Sequence, residues 1–253
     1  METPDEIYYM NYRNEVAAFS GKHQSLMASI LKLNSSADKI FLQIQLTTDN
    51  RLGIVISQLT RICNRHFEAI LLLATTGHGH SVVRILRSLF EKAVDAKFLH
   101  IHPNELDDFI DYYIVQMHDR GQPSGLPMPN NSGRFRFKNG NLRPRWSKQS
   151  VSEKAKAVDM QPLLDNAYKY GHLLIHSSMH EVLGSLIIED DGSLSPATPE
   201  QHQEHDLAYI GLLASATIMV NVLDFTIKHF ELVEPEEFEE FQQSLIESVK
   251  GIV

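Results

Sequence analysis

Apolar residues recur every three or four positions along most of this chain, which is the spacing of one buried face on an α-helix. The clearest stripes run from 52 to 71 and from 82 to 98. Thr48-Asp49-Asn50-Arg51 supplies a helix start before the first stripe, and Gly77 supplies a C-cap after it. Runs of alternating β-branched residues are absent, so no strand is predicted. We expect an all-α fold, a helical bundle of about seven to nine helices with one long basic loop.

The same period predicts the remaining elements. We expect an N-terminal helix over 4–33 with a break near Gly21, and a turn at Asn34-Ser35-Ser36 before a second helix that ends near 46. After the two clear stripes come a helix over 104–120, a polar loop over 121–150 and a short helix opened by Ser152. Further helices are predicted over 163–186 and 202–233, and an acidic amphipathic helix begins at Pro235.

These elements group into three units along the chain. We expect an N-terminal helical segment (1–47), a helical-bundle core domain (48–233) that includes the loop at 121–150, and an acidic C-terminal helix (234–253). The most apolar run, 207–223, is short for a membrane span and carries Ser215, Thr217 and Asn221. We interpret it as a buried central helix.

Composition narrows the function classes. The chain has 253 residues and a net charge of −9, which argues against a broad nucleic-acid-binding surface and leaves room for a local basic patch. The single cysteine, Cys63, cannot form an intrachain disulfide, which fits a reducing compartment. The start of the chain has no basic region followed by an apolar stretch, so no signal peptide is predicted. We expect a cytoplasmic protein with no membrane association.

Three histidines, His172, His176 and His180, stand four residues apart and share one stripe of a predicted helix. Neutral imidazole serves both proton transfer and metal binding near neutral pH. Eight residues of helix rise about 12 Å, so all three cannot bind one ion. A pair of them could bind zinc with a ligand from another helix. The other interpretations are proton transfer or phosphate contact by His176 or His180, and polar residues satisfied beside the core. Our predicted site includes no metal and no cofactor.

A second polar stripe lies on the helix predicted over 81–101. Arg84, Arg87, Glu91 and Asp95 are spaced so that they fall along one face. One interpretation is a solvated face with a weak intrahelical pair between Arg87 and Glu91. The other is a stripe that faces a cleft, where Glu91 holds the guanidinium of Arg87 in place for an anionic group.

The third feature is a basic stretch inside the predicted loop, from 132 to 148. It contains no acidic residue, and aromatic residues interleave with its cations. This composition is typical of single-stranded nucleic-acid binding, because cations neutralise phosphates and aromatic rings stack on bases. The alternative is a loop docked on acidic parts of the same protein, for example on residues 234–240. The cations are Arg134, Arg136, Lys138, Arg143, Arg145 and Lys148, and the aromatics are Phe135, Phe137 and Trp146.

These pieces occur in an order that resembles a known family. The matching pieces are Leu86-Arg87-Ser88-Leu89-Phe90-Glu91, then Trp146 before a short helix, then Tyr168 or Tyr170, and then a hydroxyl-rich stretch that ends at His180. Over about residues 50–230 the chain resembles the uncharacterised all-helical bacterial proteins known only as a domain of unknown function. The resemblance implies that Arg87, Glu91, Tyr168 and His180 are characteristic polar positions of the family. His176 departs from it, because a serine is expected there. Members are similar in setting to modules of antiviral defence.

On this basis we expect an RNA- or nucleotide-directed protein, a metal-independent ribonuclease of a bacterial defence or toxin type. Arg87 and Arg84 would bind a phosphate, and Glu91 would orient Arg87. His180 would act as general acid or base, assisted by His176 or Tyr168. The substrate would be held by Arg134, Arg136, Arg143, Arg145 and Trp146. The alternative is a non-enzymatic helical binding or regulatory module that acts through dimerisation or a partner protein. We expect a homodimer.

Overall fold

The computed structural model describes residues 4–122, 125–164, 186–188, 194–196 and 204–242. Over these ranges the expected all-α fold is confirmed. The helices are α1 (Pro4–Lys22), α2 (Gln24–Gln43), α3 (Arg51–Thr75), α4 (Gly79–Ile101), α5 (Leu106–Asp119), α6 (Val151–Ala157), α7 (Gln161–Leu163) and α8 (Glu204–Phe230). Short 3-10 turns span Pro103–Glu105 and Ser132–Phe135. Residues 236–242 are also helical.

Helices α3, α4 and α8 pack against one another and form the centre of the bundle. Their shared core is built from the predicted apolar stripes of α3 and α4 and from the apolar run of α8. A close approach between α8 and α4 requires a glycine, because a Cβ atom at Gly211 would overlap the side chain of Val82. The fully buried core residues include Ile56, Cys63 and Phe67 on α3, Leu89, Phe90 and Val94 on α4, and Leu212, Met219 and Leu223 on α8.

The central helix α8 raises the question of a membrane. Of the described helices, Asp206–Phe230 is long and apolar enough to cross one, with a mean hydropathy of 1.8 over its most apolar window. In the bundle, 56% of that window is buried. A core helix has this composition because it contacts apolar neighbours on most of its circumference. The helix therefore packs as the buried central helix that the sequence predicts.

The N-terminal boundary differs from the prediction. The helix break falls at His23, and α2 continues without interruption through Asn34, Ser35 and Ser36 to Gln43. Packing outweighs the turn preference of these three residues, because α2 buries Leu33, Ile40 and other apolar residues in the common core. Tertiary contacts commonly override weak local propensities of this kind.

A short β-ribbon is present where no strand is predicted. Strands β1 (Leu186–Ile188) and β2 (Leu194–Pro196) pair antiparallel, with Ile187 opposite Ser195. Each strand has only three residues, too few for an alternating pattern to emerge from the sequence. The ribbon is small and leaves the fold class unchanged.

The segment after α8 packs against α2. Phe238 and Phe241 are buried in the core. Lys32 and Lys39 of α2 form ion pairs with Glu240 and Glu237, at 3.0 and 2.5 Å. These two carboxylates pair with α2, so they are not the acidic groups on which the basic loop docks.

Candidate functional site

A cavity of about 510 Å³ opens between α4, α5 and the segment that leads into α6. Helix α4 contributes its polar stripe, and α5 contributes aromatic residues one turn apart. The loop contributes its last residues, where the capping box of Ser150 and Glu153 starts α6. The cavity is lined by Arg87, Glu91, Lys92, Asp95, Phe109, Tyr112, Tyr113, Gln116, Pro144, Arg145, Trp146, Ser150, Val151, Ser152 and Lys154.

The pair of Arg87 and Glu91 lies in the wall of this cavity. Nε of Arg87 donates to Oε1 of Glu91 at 3.0 Å, and both side chains are about one third exposed or less, at 28% and 34%. An isolated pair of this kind on a helix contributes only about 0.2–0.5 kcal/mol to stability. Its position in a cavity is more informative, because a guanidinium that a carboxylate holds in place is a common means of recognising anionic groups. The pair therefore has the geometry expected for an oriented anion contact.

A buried ion pair forms deeper in the same cavity. Lys154 of α6 pairs with Oδ1 of Asp95 on α4, and the two side chains are only 4% and 10% exposed. The same oxygen accepts a hydrogen bond from Nε1 of Trp146 at 3.1 Å. Oδ2 of Asp95 receives no hydrogen bond from any described residue. Asp95 lies on the polar stripe that the sequence predicts, whereas Lys154, 59 residues further along the chain, is not among the predicted site residues.

Trp146 is held rigidly by these contacts. Only 8% of Trp146 is exposed to solvent. Its ring packs edge-to-face against Phe109, and Nζ of Lys154 lies 4.8 Å from the ring centroid. A ring enclosed in this way forms a wall of the cavity and has little surface on which a base could stack. The accessible aromatic residue is Tyr113 on α5, which is 52% exposed and lines the same cavity.

Two more cations complete the cavity. Arg145, which the sequence predicted as a substrate-binding residue, lines it from the loop, and Lys92 lines it from α4. Neither forms an ion pair with a described acidic residue. The cavity thus contains four Lys and Arg side chains and two acidic ones, Glu91 and Asp95. Its charge is opposite to the net charge of −9 of the whole chain.

Two of the predicted substrate-binding cations are engaged in the protein itself. Arg134 pairs with Asp108 and Asp111 of α5, at 2.7 and 2.8 Å. Arg136 contacts both carboxylate oxygens of Asp119, at 3.0 and 2.5 Å. The hydrogen bond from Arg136 lowers the pKa of the Asp119 carboxyl below its ordinary value. These contacts fasten the loop to α5.

Arg143 lines a neighbouring cavity of about 320 Å³ on the other side of the loop segment. Its backbone carbonyl accepts a hydrogen bond from the hydroxyl of Tyr112 at 2.7 Å. Burial raises the pKa of that phenol. This bond helps to fix the path of the chain between the two cavities.

The other predicted residues fall into two groups. Arg84 is exposed on α4, one turn before Arg87, and does not line either cavity. Tyr168, His172, His176 and His180 lie outside the described residues. Within the described ranges, no group of three or more His, Cys, Asp or Glu side chains could hold a metal ion.

The segment that carries the polar stripe also carries the family signal. Residues 53–123 match DUF5677, a family of unknown function. The DUF5677 match confirms the expected resemblance and spans α3, α4 and α5, so it includes Arg87, Glu91, Lys92, Asp95 and Tyr113. It is shorter than the 50–230 range that the resemblance suggested, and Trp146, Tyr168 and His180 lie beyond it.

No curated protein and no solved structure matches the chain. The DUF5677 match names no activity, so function has to be argued from the cavity itself.

Proposed function

We propose that this protein is directed at RNA or nucleotides and that its phosphate-binding site is the cavity of Arg87 and Arg145. One observation carries the proposal: four of the residues singled out from the sequence, Arg87, Glu91, Arg145 and Trp146, line one cavity although the chain separates them. A cation-rich cavity in an acidic protein favours an anionic ligand. The exposed ring of Tyr113 adds a surface on which a base can stack.

The residues of the cavity have different roles in ligand binding. Arg87, oriented by Glu91, and the cations Lys92 and Arg145 supply donors for phosphate oxygens. Lys154 is neutralised by Asp95, so it contributes less charge to the ligand and more to the shape of the site. Tyr113 is the residue placed to stack on a base at the opening.

In the catalytic form of this proposal, RNA is cleaved without a metal ion. The 2′-hydroxyl attacks phosphorus, a new P–O2′ bond forms, and the P–O5′ bond breaks. One group removes the proton from the 2′-hydroxyl, and another returns a proton to the leaving 5′-oxygen. His180 would take one of these parts, with His176 or Tyr168 as the second group. Arg87 would stabilise the negative charge that develops on the phosphate.

Binding is tested with a fluorescently labelled single-stranded RNA of about eight nucleotides, measured by anisotropy. Arg87→Ala and Arg145→Ala should each weaken binding about tenfold, which corresponds to about 1.4 kcal/mol. Lys138→Ala removes a cation of the same loop that lines neither cavity, and it should leave the affinity within about twofold. Equal affinities for all four proteins would contradict the proposed site.

Cleavage is tested on the same RNA. His180→Ala should abolish cleavage and leave the affinity for RNA unchanged, because a proton-transfer group contributes mainly to the chemical step. A His180→Ala protein with full nuclease activity would exclude the catalytic role. A pure wild-type protein that binds RNA and cleaves none would reduce the proposal to a binding protein.

A further inference from the structure

Two cavities, and not one, flank the loop segment from Arg143 to Lys148. The first is the cavity of Arg87 and Arg145 described above. The second, of about 320 Å³, lies between the segment and the start of α5. Trp146 lines both, so this residue lies at the boundary between them. The two cavities are therefore neighbouring compartments along one wall.

The second cavity is also lined by cationic side chains. Arg143 and Lys148 line it, and neither forms an ion pair with a described acidic residue. Arg134 lines it too, but its charge is matched by Asp108 and Asp111. The two cavities together contain seven Lys and Arg side chains against four acidic ones. Four of the cations, Lys92, Arg143, Arg145 and Lys148, have no described carboxylate partner.

We propose that the ligand is a single-stranded RNA chain that crosses the Trp146 wall, with successive phosphates in the two cavities, and that a mononucleotide is not the ligand. This inference rests on the proposed function and specifies the class of its substrate. A mononucleotide would use the cations of one cavity only. A chain uses both sets at once, so it gains affinity from each added phosphate until both cavities are occupied.

The spacing of the cations supports a continuous chain. Arg143 and Arg145 are two residues apart, so their Cα atoms are separated by at most about 7 Å. That is a distance which one nucleotide step can cover. The wall between them is rigid, because Trp146 is fixed by Asp95, Lys154 and Phe109. A rigid divider with cations on both sides holds a flexible chain in one register and leaves little freedom to lose on binding.

The first arm of the test is a length series. Affinities of the wild-type protein are measured for uridine monophosphate and for labelled oligouridylates of increasing length, at fixed salt. Affinity should rise steeply over the first few nucleotides and then level off, with a gain of at least about a hundredfold over the mononucleotide. An affinity for the mononucleotide equal to that for the longer chains would overturn the inference and leave the first cavity as a nucleotide site.

The second arm uses variants of the second cavity. Lys148→Ala and Arg143→Ala should each weaken binding of the longer oligouridylates about threefold to tenfold and leave the affinity for uridine monophosphate unaffected. Arg145→Ala should weaken both. The matched control is Lys138→Ala, an exposed lysine in the same loop outside both cavities. Lys148→Ala should also reduce the salt dependence of binding by about 0.7 in the logarithmic slope, and Lys138→Ala should not.

The outcomes separate the two proposals. If no RNA binds at all, the proposed function fails, and the inference fails with it. If RNA binds, Arg145→Ala weakens it and Lys148→Ala does not, the first cavity stands and the two-cavity path is wrong. Circular dichroism on each variant tests whether loss of folding is the cause of weaker binding. Arg143→Lys keeps the positive charge, so it should retain most of the RNA affinity that Arg143→Ala loses.

Discussion

Asp95 is the residue on which the site's architecture depends most. Its Oδ1 atom receives hydrogen bonds from both Lys154 and Trp146, so one carboxylate joins α4, α6 and the end of the basic loop. Because the pair is buried, removal of either partner should destabilise the fold, since a charge without its partner is costly in a low-dielectric interior. The same residues form the floor of the first cavity and the wall between the two.

At this scale we predict strong coupling between the two charges. Asp95→Asn or Lys154→Met alone leaves one buried charge unpaired and should lower the free energy of unfolding by up to about 3–5 kcal/mol. The double variant removes both charges and keeps an acceptor for Nε1 of Trp146, so it should be more stable than either single variant. Chemical denaturation of the four proteins measures this coupling.

The control for this cycle is Lys156→Ala, which removes an exposed lysine from the same helix. It should change the free energy of unfolding by less than about 0.5 kcal/mol. Additive effects of Asp95→Asn and Lys154→Met would show that the buried pair does not act as a unit.

Between elements, a histidine pair joins α4 to α8. Nδ1 of His100 lies 2.9 Å from Nδ1 of His229, a hydrogen bond that needs at least one of the two nitrogens to be unprotonated. Burial lowers the pKa of both imidazoles below their ordinary value of 6.5, and the nearby charge of Lys97 lowers that of His100 further. The α4–α8 contact is therefore arranged for neutral histidines.

This geometry predicts destabilisation in acid. Below pH 6.5 the unfolded chain takes up protons on these histidines that the folded protein does not, so stability falls as the pH drops from about 6.5 towards the lowered pKa values and levels off below them. His100→Gln removes one titrating group and should make the loss of stability between about pH 7 and pH 5 shallower. Urea denaturation at several pH values measures it. A loss of stability as steep in His100→Gln as in the wild-type protein would contradict this role of the pair.

Helix patterns in the sequence predicted α3 and α4 from their long apolar stripes, and α8 from its long apolar run. They failed at α2, where polar residues that favour a turn lie within a helix that packing stabilises. They also failed for the β-ribbon of Leu186–Ile188 and Leu194–Pro196, since three residues are too few to show a period. Long periodic segments are predictable, and short or packing-determined ones are not.

Across the whole molecule, the local charge of the two cavities contrasts with the net charge of the chain. The chain carries a net charge of −9, yet the two cavities flanking residues 143–148 contain more cations than anions. The sequence predicted Arg87, Glu91, Arg145 and Trp146 as site residues, because charge and aromatic patterns are local features. It could not predict Lys154, whose role depends on Asp95 far away in the chain. Docking of the loop on acidic parts of the protein was one of its two interpretations, and the structure identifies α5 as the partner of Arg134 and Arg136.

The charge contrast predicts steep salt dependence. If four phosphates contact Lys92, Arg143, Arg145 and Lys148, the logarithm of the association constant for single-stranded RNA should fall with the logarithm of salt concentration at a slope near −3, about −0.7 per contact. Anisotropy titrations over a range of salt concentrations measure it. A slope near zero would mean that phosphates do not contribute to binding.

The most direct test of RNA binding at the two cavities is to map where RNA contacts the protein. An oligonucleotide of about eight residues that contains 4-thiouridine is bound at saturation, crosslinked by ultraviolet light and mapped by mass spectrometry. A chain bound along the two cavities should crosslink at Tyr113 and within residues 143–148, and Tyr113→Ala and Arg145→Ala should reduce the yield of these crosslinks. Crosslinks confined to other surfaces, such as the groove of Phe41 and Arg61 between α2 and α3, would contradict it.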